Sequence, residues 1–122
     1  LGLRFLRHIQ RAKVLVHLVD LDPACRREPV DDFLAVQKEL ESFDPDLLAK
    51  PQIVVGNKID REGAGERAAA LEEFAERQGL AFVAISALKG DNIDMLLKEI
   101  ERMLADETRE EPKSWDPVKV GE

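Results

Sequence analysis

Three short apolar runs constrain this chain more than anything else in it. They are Lys13-Val14-Leu15-Val16-His17-Leu18-Val19, Ile53-Val54-Val55 and Ala81-Phe82-Val83-Ala84-Ile85. Each is rich in β-branched residues, and none alternates cleanly with polar ones. Strands buried on both faces read this way, as in a parallel sheet covered by helices. Between and after the runs the spacing turns helical. Pro29 suits a first helical turn, and Phe33, Val36, Leu40 and Phe43 recur three or four residues apart. A second helix is predicted from about Glu66 to Gln78, with Gly79 as its stop. A third carries Ile93, Leu96, Leu97, Ile100, Met103 and Leu104 on one stripe, with Asp91 or Asn92 to cap it. Phe5, Leu6 and Ile9 suggest a short helix ending near Arg11. Helix and strand therefore alternate, which predicts an α/β fold of three parallel strands with flanking helices and right-handed crossovers.

Length and charge narrow the class. At 122 residues the chain fits one domain with a real core. Its composition, 44% hydrophobic and 35% charged, reads as a soluble globular sequence rather than a disordered one. The net charge of −7 argues against a nucleic-acid grip by the chain as a whole. No apolar run approaches the roughly 20 residues that span a bilayer, so no membrane partner is expected, and nothing resembles a signal peptide. A lone Cys25 makes no internal disulfide, which fits a reducing cytoplasm. The chain starts at Leu1 rather than Met, which reads as a fragment. The apolar stripe stops near Asp106, so residues 1–105 are expected to form the domain and 106–122 an acidic linker or tail. Trp115 and Val118 are too few to build a core there.

In an open parallel sheet, ligands bind beyond the carboxyl ends of the strands. Asp20-Leu21-Asp22, Asn57-Lys58-Ile59-Asp60 and Ser86-Ala87-Leu88 all fall there. A carboxylate at Asp60 can accept from a planar donor pair, which guanine offers in its ring N–H and exocyclic amine and adenine does not. The stem of Lys58 can lie along a base while its ammonium stays wet. Asn57 can hold a base edge or tie loops together. The small Ala87 lets a backbone N–H approach a base carbonyl. Asn57 and Ser86 lie 29 residues apart, one strand–helix–strand step, so both loops reach the same end of adjacent strands. A plain polar turn is the competing reading; the position after a buried strand, and Ser86-Ala87 after the next, favour guanine recognition. His17 reads as a buried, hydrogen-bonded histidine, His8 as part of a solvated basic face, and Cys25 as a loop thiol. Asp31 and Asp32 answer the helix dipole rather than a metal.

Asn57-Lys58-Ile59-Asp60 and Ser86-Ala87-Leu88 resemble the guanine-recognition motif and the supporting Ser-Ala motif of P-loop GTPases. Gly2-Leu3-Arg4-Phe5-Leu6-Arg7-His8-Ile9-Gln10-Arg11 resembles the helix after switch II in Obg-type GTPases. Phe43-Asp44-Pro45-Asp46-Leu47-Leu48-Ala49-Lys50-Pro51-Gln52-Ile53-Val54-Val55 resembles that group's approach to its guanine motif. The resemblance covers residues 1 to about 105 and implies the carboxyl half of the GTPase domain, a partial P-loop NTPase fold. It implies that the intact protein binds GTP and GDP with Mg²⁺, hydrolyses GTP slowly and serves ribosome assembly, with a ribosomal subunit or rRNA as partner. The chain carries no G-x-x-x-x-G-K-S/T, switch I Thr or switch II Asp-x-x-Gly. Those elements cradle phosphates and hold Mg²⁺, so this chain alone is expected not to hydrolyse GTP. By the same resemblance, the outer edge of the first strand would lack its neighbour, leaving an apolar edge with no Pro to guard it and prone to self-association. A module that kept the fold and lost the nucleotide chemistry is the alternative.

Overall fold

The computed structural model describes residues 2–114. The expectations for Trp115 and Val118 lie outside that range. Three strands, β1 (Leu15–Asp20), β2 (Gln52–Asn57) and β3 (Ala81–Ala84), form a parallel sheet in the order β1-β2-β3. Four helices accompany it: α1 (Leu3–Arg11), α2 (Pro29–Phe43), α3 (Ala64–Arg77) and α4 (Ile93–Ser114). Short 3-10 turns at Pro23–Cys25 and Pro45–Ala49 follow β1 and α2. The α/β alternation is the one the sequence predicts.

The register brings Asp20 beside Asn57 and Gly56 beside Ala84, so all three strands end together. β2 is the central strand, and five of its six residues are buried. Its consecutive apolar side chains serve opposite faces. Val54 packs with Val19, Leu21, Phe33 of α2 and Ala68, Leu71 and Ala75 of α3. Ile53 and Val55 pack with Val83, Ile85 and the Leu96 stripe of α4. α1 sits lower, closing Leu6 against Leu40 and Leu47.

Four expectations change. β1 is not buried on both faces: Val16 is 40% and Leu18 60% exposed, because α4 covers β2 and β3 and stops short of β1. His17 is half-buried and meets the Phe33 ring, centroids 4.6 Å apart, and has no hydrogen-bond partner among the described residues. α3 starts at Ala64, two residues early, because Gly63 adopts φ +84° and turns the chain over Pro23. α4 runs through the expected linker to Ser114. No Gly or Pro interrupts it before Pro112, and Arg102 pairs with both Glu99 and Asp106 along its surface. No helix among the described residues is long and apolar enough to cross a membrane.

Candidate functional site

The loops after the three strands form one hydrogen-bonded unit. Gly56 is what lets them meet: a Cβ there would stand 2.7 Å from Cδ1 of the fully buried Leu21. The Leu21 N–H donates to Asn57 O (2.9 Å), tying the first loop to the second. The Ile85 N–H donates to Gly56 O (2.8 Å) and the Ile59 N–H to Ile85 O (3.0 Å), tying the second to the third.

Asn57 is the centre of the unit. Its Oδ1 accepts from the Lys58 N–H (2.8 Å) and from the Ala87 N–H (3.0 Å). It therefore spans the two loops as its donor and acceptor capacity allows. The same geometry corrects one expectation. The Ala87 N–H, expected to approach a base carbonyl, is taken up by Asn57. Lys58 adopts φ +73°, uncommon for a side-chain-bearing residue. Ser86 is fully buried and structural: its Oγ accepts from the Lys89 N–H (3.1 Å) and its carbonyl from the Gly90 N–H (2.8 Å). Asn92, expected as a cap, donates its amide to Ala84 O (2.8 Å) and so ties this loop to β3. Leu88 is 88% exposed at the rim.

Asp22, Asn57, Lys58, Asp60, Arg61, Ser86 and Leu88 line a cleft of about 170 Å³. Sites for drug-sized ligands run to about 300–1,000 Å³, so this one suits a single ring system rather than a whole nucleotide. Its charges are ordered in pairs. Lys58 Nζ meets Asp20 Oδ2 at 3.0 Å, and Arg61 Nε meets Asp22 Oδ2 at 3.1 Å. Partial burial pushes the Asp20 carboxyl up, but the Asp22 N–H and the Lys58 ammonium outweigh it and hold it below the usual carboxylate range. The Ala24 N–H, with Arg61 and Lys58, holds Asp22 low as well. The Lys58 ammonium is raised by its hydrogen bond to Asp20 and by that residue's charge. Asp60 differs. It is half-buried at the cleft, and its carboxylate has no partner among the described residues.

The cleft lining and its hydrogen bonds bring together Asn57, Lys58, Asp60, Ser86, Ala87 and Leu88, with Asp20, Asp22 and Arg61 beside them. The sequence places Asp20 and Asp22 at the right end of β1 but gives no hint of their partners, because those pairs span 38 and 39 residues. Among the described residues no group of three or more His, Cys, Asp and Glu side chains converges as a metal site would.

The chain is similar to proteins named GTPase Obg. It is 44% identical to that of Sulfurihydrogenibium sp. over 113 residues, which is 93% of this chain and 31% of the relative. Against GTPase Obg of Aquifex aeolicus it is 46% identical over 96 residues, 79% of this chain and 28% of the relative. Against that of Levilactobacillus brevis it is 40% identical over 111 residues, 87% of this chain and 26% of the relative. The chain therefore spans less than a third of the length of these relatives. No family model matches it.

Proposed function

We propose that this chain, a segment of an Obg-type GTPase across most of its length, reads the guanine base of GTP and GDP. The observation that carries the reading is Asp60. Of the two carboxylates that line the cleft, Asp22 is paired with Arg61, while Asp60 has no partner among the described residues. Two acceptor oxygens in a plane match the ring N–H and amine of guanine; adenine presents an acceptor where guanine has that N–H. The roles follow from position. Asp60 accepts from the base edge, the Lys58 stem covers one face, Asn57 holds the two loops in register, and Ser86 stiffens the third loop from below. Ala87 and Leu88 form the rim. The Ala87 N–H serves Asn57 in this reading.

The whole protein is proposed to bind and slowly hydrolyse GTP in the cytoplasm during ribosome assembly, with a ribosomal subunit or rRNA as its partner. Residues 1–105 form the base-reading part and 106–122 a charged extension. The Mg²⁺ that GTP hydrolysis uses would belong with the phosphates. Asp20 and Asp22 do not fit it, since Lys58 and Arg61 already occupy them. An interaction module without nucleotide chemistry is the second reading, and the exposed Val16 and Leu18 favour it.

The test is Asp60→Asn in a polypeptide that also carries the phosphate-binding elements, with GTP and XTP in competition. An amide offers one acceptor and one donor, and the donor faces the second carbonyl of xanthine. A site that leaves a buried polar group unpaired loses roughly 10⁴-fold in discrimination. GTP affinity should fall by that order and XTP should gain. Unchanged GTP affinity would remove Asp60 from base reading and leave the interaction module.

A further inference from the structure

The pairs Asp20–Lys58 and Asp22–Arg61 bracket Asp60 in the chain, and the cleft brings Asp22, Lys58, Asp60 and Arg61 to one lining. The two carboxylates at and just after the end of β1 divide their oxygens in the same way. Asp20 Oδ1 accepts from the Asp22 N–H (2.8 Å) and Asp22 Oδ1 from the Ala24 N–H (3.0 Å), so one oxygen of each is fixed on its own turn. The other oxygen reaches across to a cation of the β2–α3 loop. Asp22 keeps only 15% of its side-chain surface exposed, whereas Arg61 keeps 58%. The carboxylate is therefore the fixed member and the guanidinium the movable one. Arg61 adjoins Asp60 in sequence, and a guanidinium binds carboxylates avidly. Without Asp22, Arg61 is left with Asp60 as the other carboxylate lining the same cleft.

We propose that Asp20 and Asp22 are positioning residues: Asp22 holds the Arg61 guanidinium away from Asp60, keeping that carboxylate open to an uncharged donor pair, and Asp20 holds the Lys58 stem over the base. The proposal rests on the guanine reading. It explains why two cations can stand beside an acceptor without filling it. It also accounts for the left-handed backbone at Lys58, which is fixed from both ends, by Asn57 at its N–H and by Asp20 at its ammonium.

Asp22→Asn keeps the oxygen that caps the Ala24 turn and removes the charge that holds Arg61. Two readouts test the idea, with retained amide spectra as the check on folding. The first needs no nucleotide. At neutral pH the ¹³C resonance of the Asp60 carboxyl should move in D22N as Arg61 swings over, and return in D22N/R61Q. The second is GDP binding by calorimetry in the polypeptide that also carries the phosphate-binding elements. D22N should weaken it about two- to fivefold, the range of partly exposed ion pairs, and D22N/R61Q should restore it. A turn-stabilising role for Asp22 would not be rescued by removing Arg61. An Asp60 resonance unmoved by D22N, or GDP binding as weak in D22N/R61Q as in D22N, overturns the proposal. If the resonance responds as expected and no variant, wild type included, binds GDP, the guanine reading fails and the positioning role falls with it.

Discussion

The carboxyl ends of the strands and the outer edge of β1 are built on opposite terms. At the strand ends, three loops from separate parts of the chain close on one another. Leu21, Asn57, Ile59, Ile85 and Ala87 exchange backbone and side-chain hydrogen bonds, while the Asp60 carboxylate has no partner among the described residues. At the edge, β1 pairs with β2 alone among the described residues. Val16 and Leu18 are exposed, and the exposed Phe5 of α1 lines the same groove. A site whose parts satisfy each other can be preorganised by this chain. The edge strand has one partner among the described residues. Preorganisation therefore stands at one end of the same strand that is left open along its side.

Gly56→Ala strikes the closed end hardest. The new Cβ would stand 2.7 Å from Leu21, which is fully buried and cannot retreat into solvent. The expected cost is about 1–3 kcal/mol, read as a lower thermal midpoint. An unshifted midpoint would mean the loops can part without loss, and the contrast would weaken. Asn57→Ala comes next. It strips the acceptor from two N–H groups in different loops, at about 1–2 kcal/mol. Its amide spectrum should change at Lys58 and Ala87 and stay constant at Val16 and Leu18. Changes spreading along β1 would show that the two regions are coupled.

At the open edge the expected effect on stability is smaller. Val16→Lys with Leu18→Lys adds charge where the strand is exposed. Stability should move by less than about 0.5 kcal/mol, while light scattering should report less self-association at high concentration. Equal association in wild type and variant would show that the edge is not what brings copies together.

Acid distinguishes the regions last and most gently. Burial against Phe33 lowers the His17 pKa, with the nearby Asp32 opposing the shift. The folded state then binds this proton less readily than the unfolded state does. Its contribution is complete above the ordinary imidazole value of about 6.5 and is lost as pH falls through the lower folded value. Asp20 is also held low in the folded state, so its contribution survives until pH drops below the ordinary carboxylate value of about 3.9. Melting temperatures should therefore decline in two stages. His17→Gln should remove the first stage and Asp20→Asn should soften the second. A midpoint that is flat from pH 7 to 5 would mean that half-burial does not penalise the charged imidazole.

The sequence by itself determined the elements and the end of the sheet at which the polar loop residues gather. Three β-branched runs joined by helical spacing admit little but a parallel sheet between helices, and the loops after parallel strands share one edge of it. It likewise picked out Asn57, Lys58, Asp60, Ser86, Ala87 and Leu88, because local motif and strand position coincide there. Tertiary structure alone decided what lies between those residues. The Ala87 N–H turned toward Asn57, and Arg61 found Asp22, through hydrogen bonds whose members lie 30 and 39 residues apart. Periodicity fixes how a residue sits relative to its own neighbours, not which distant loop its side chain will face. The same limit explains β1: its apolar run looks alike whether one face is covered or two, and only the placement of α4 over β2 and β3 left Val16 and Leu18 outside.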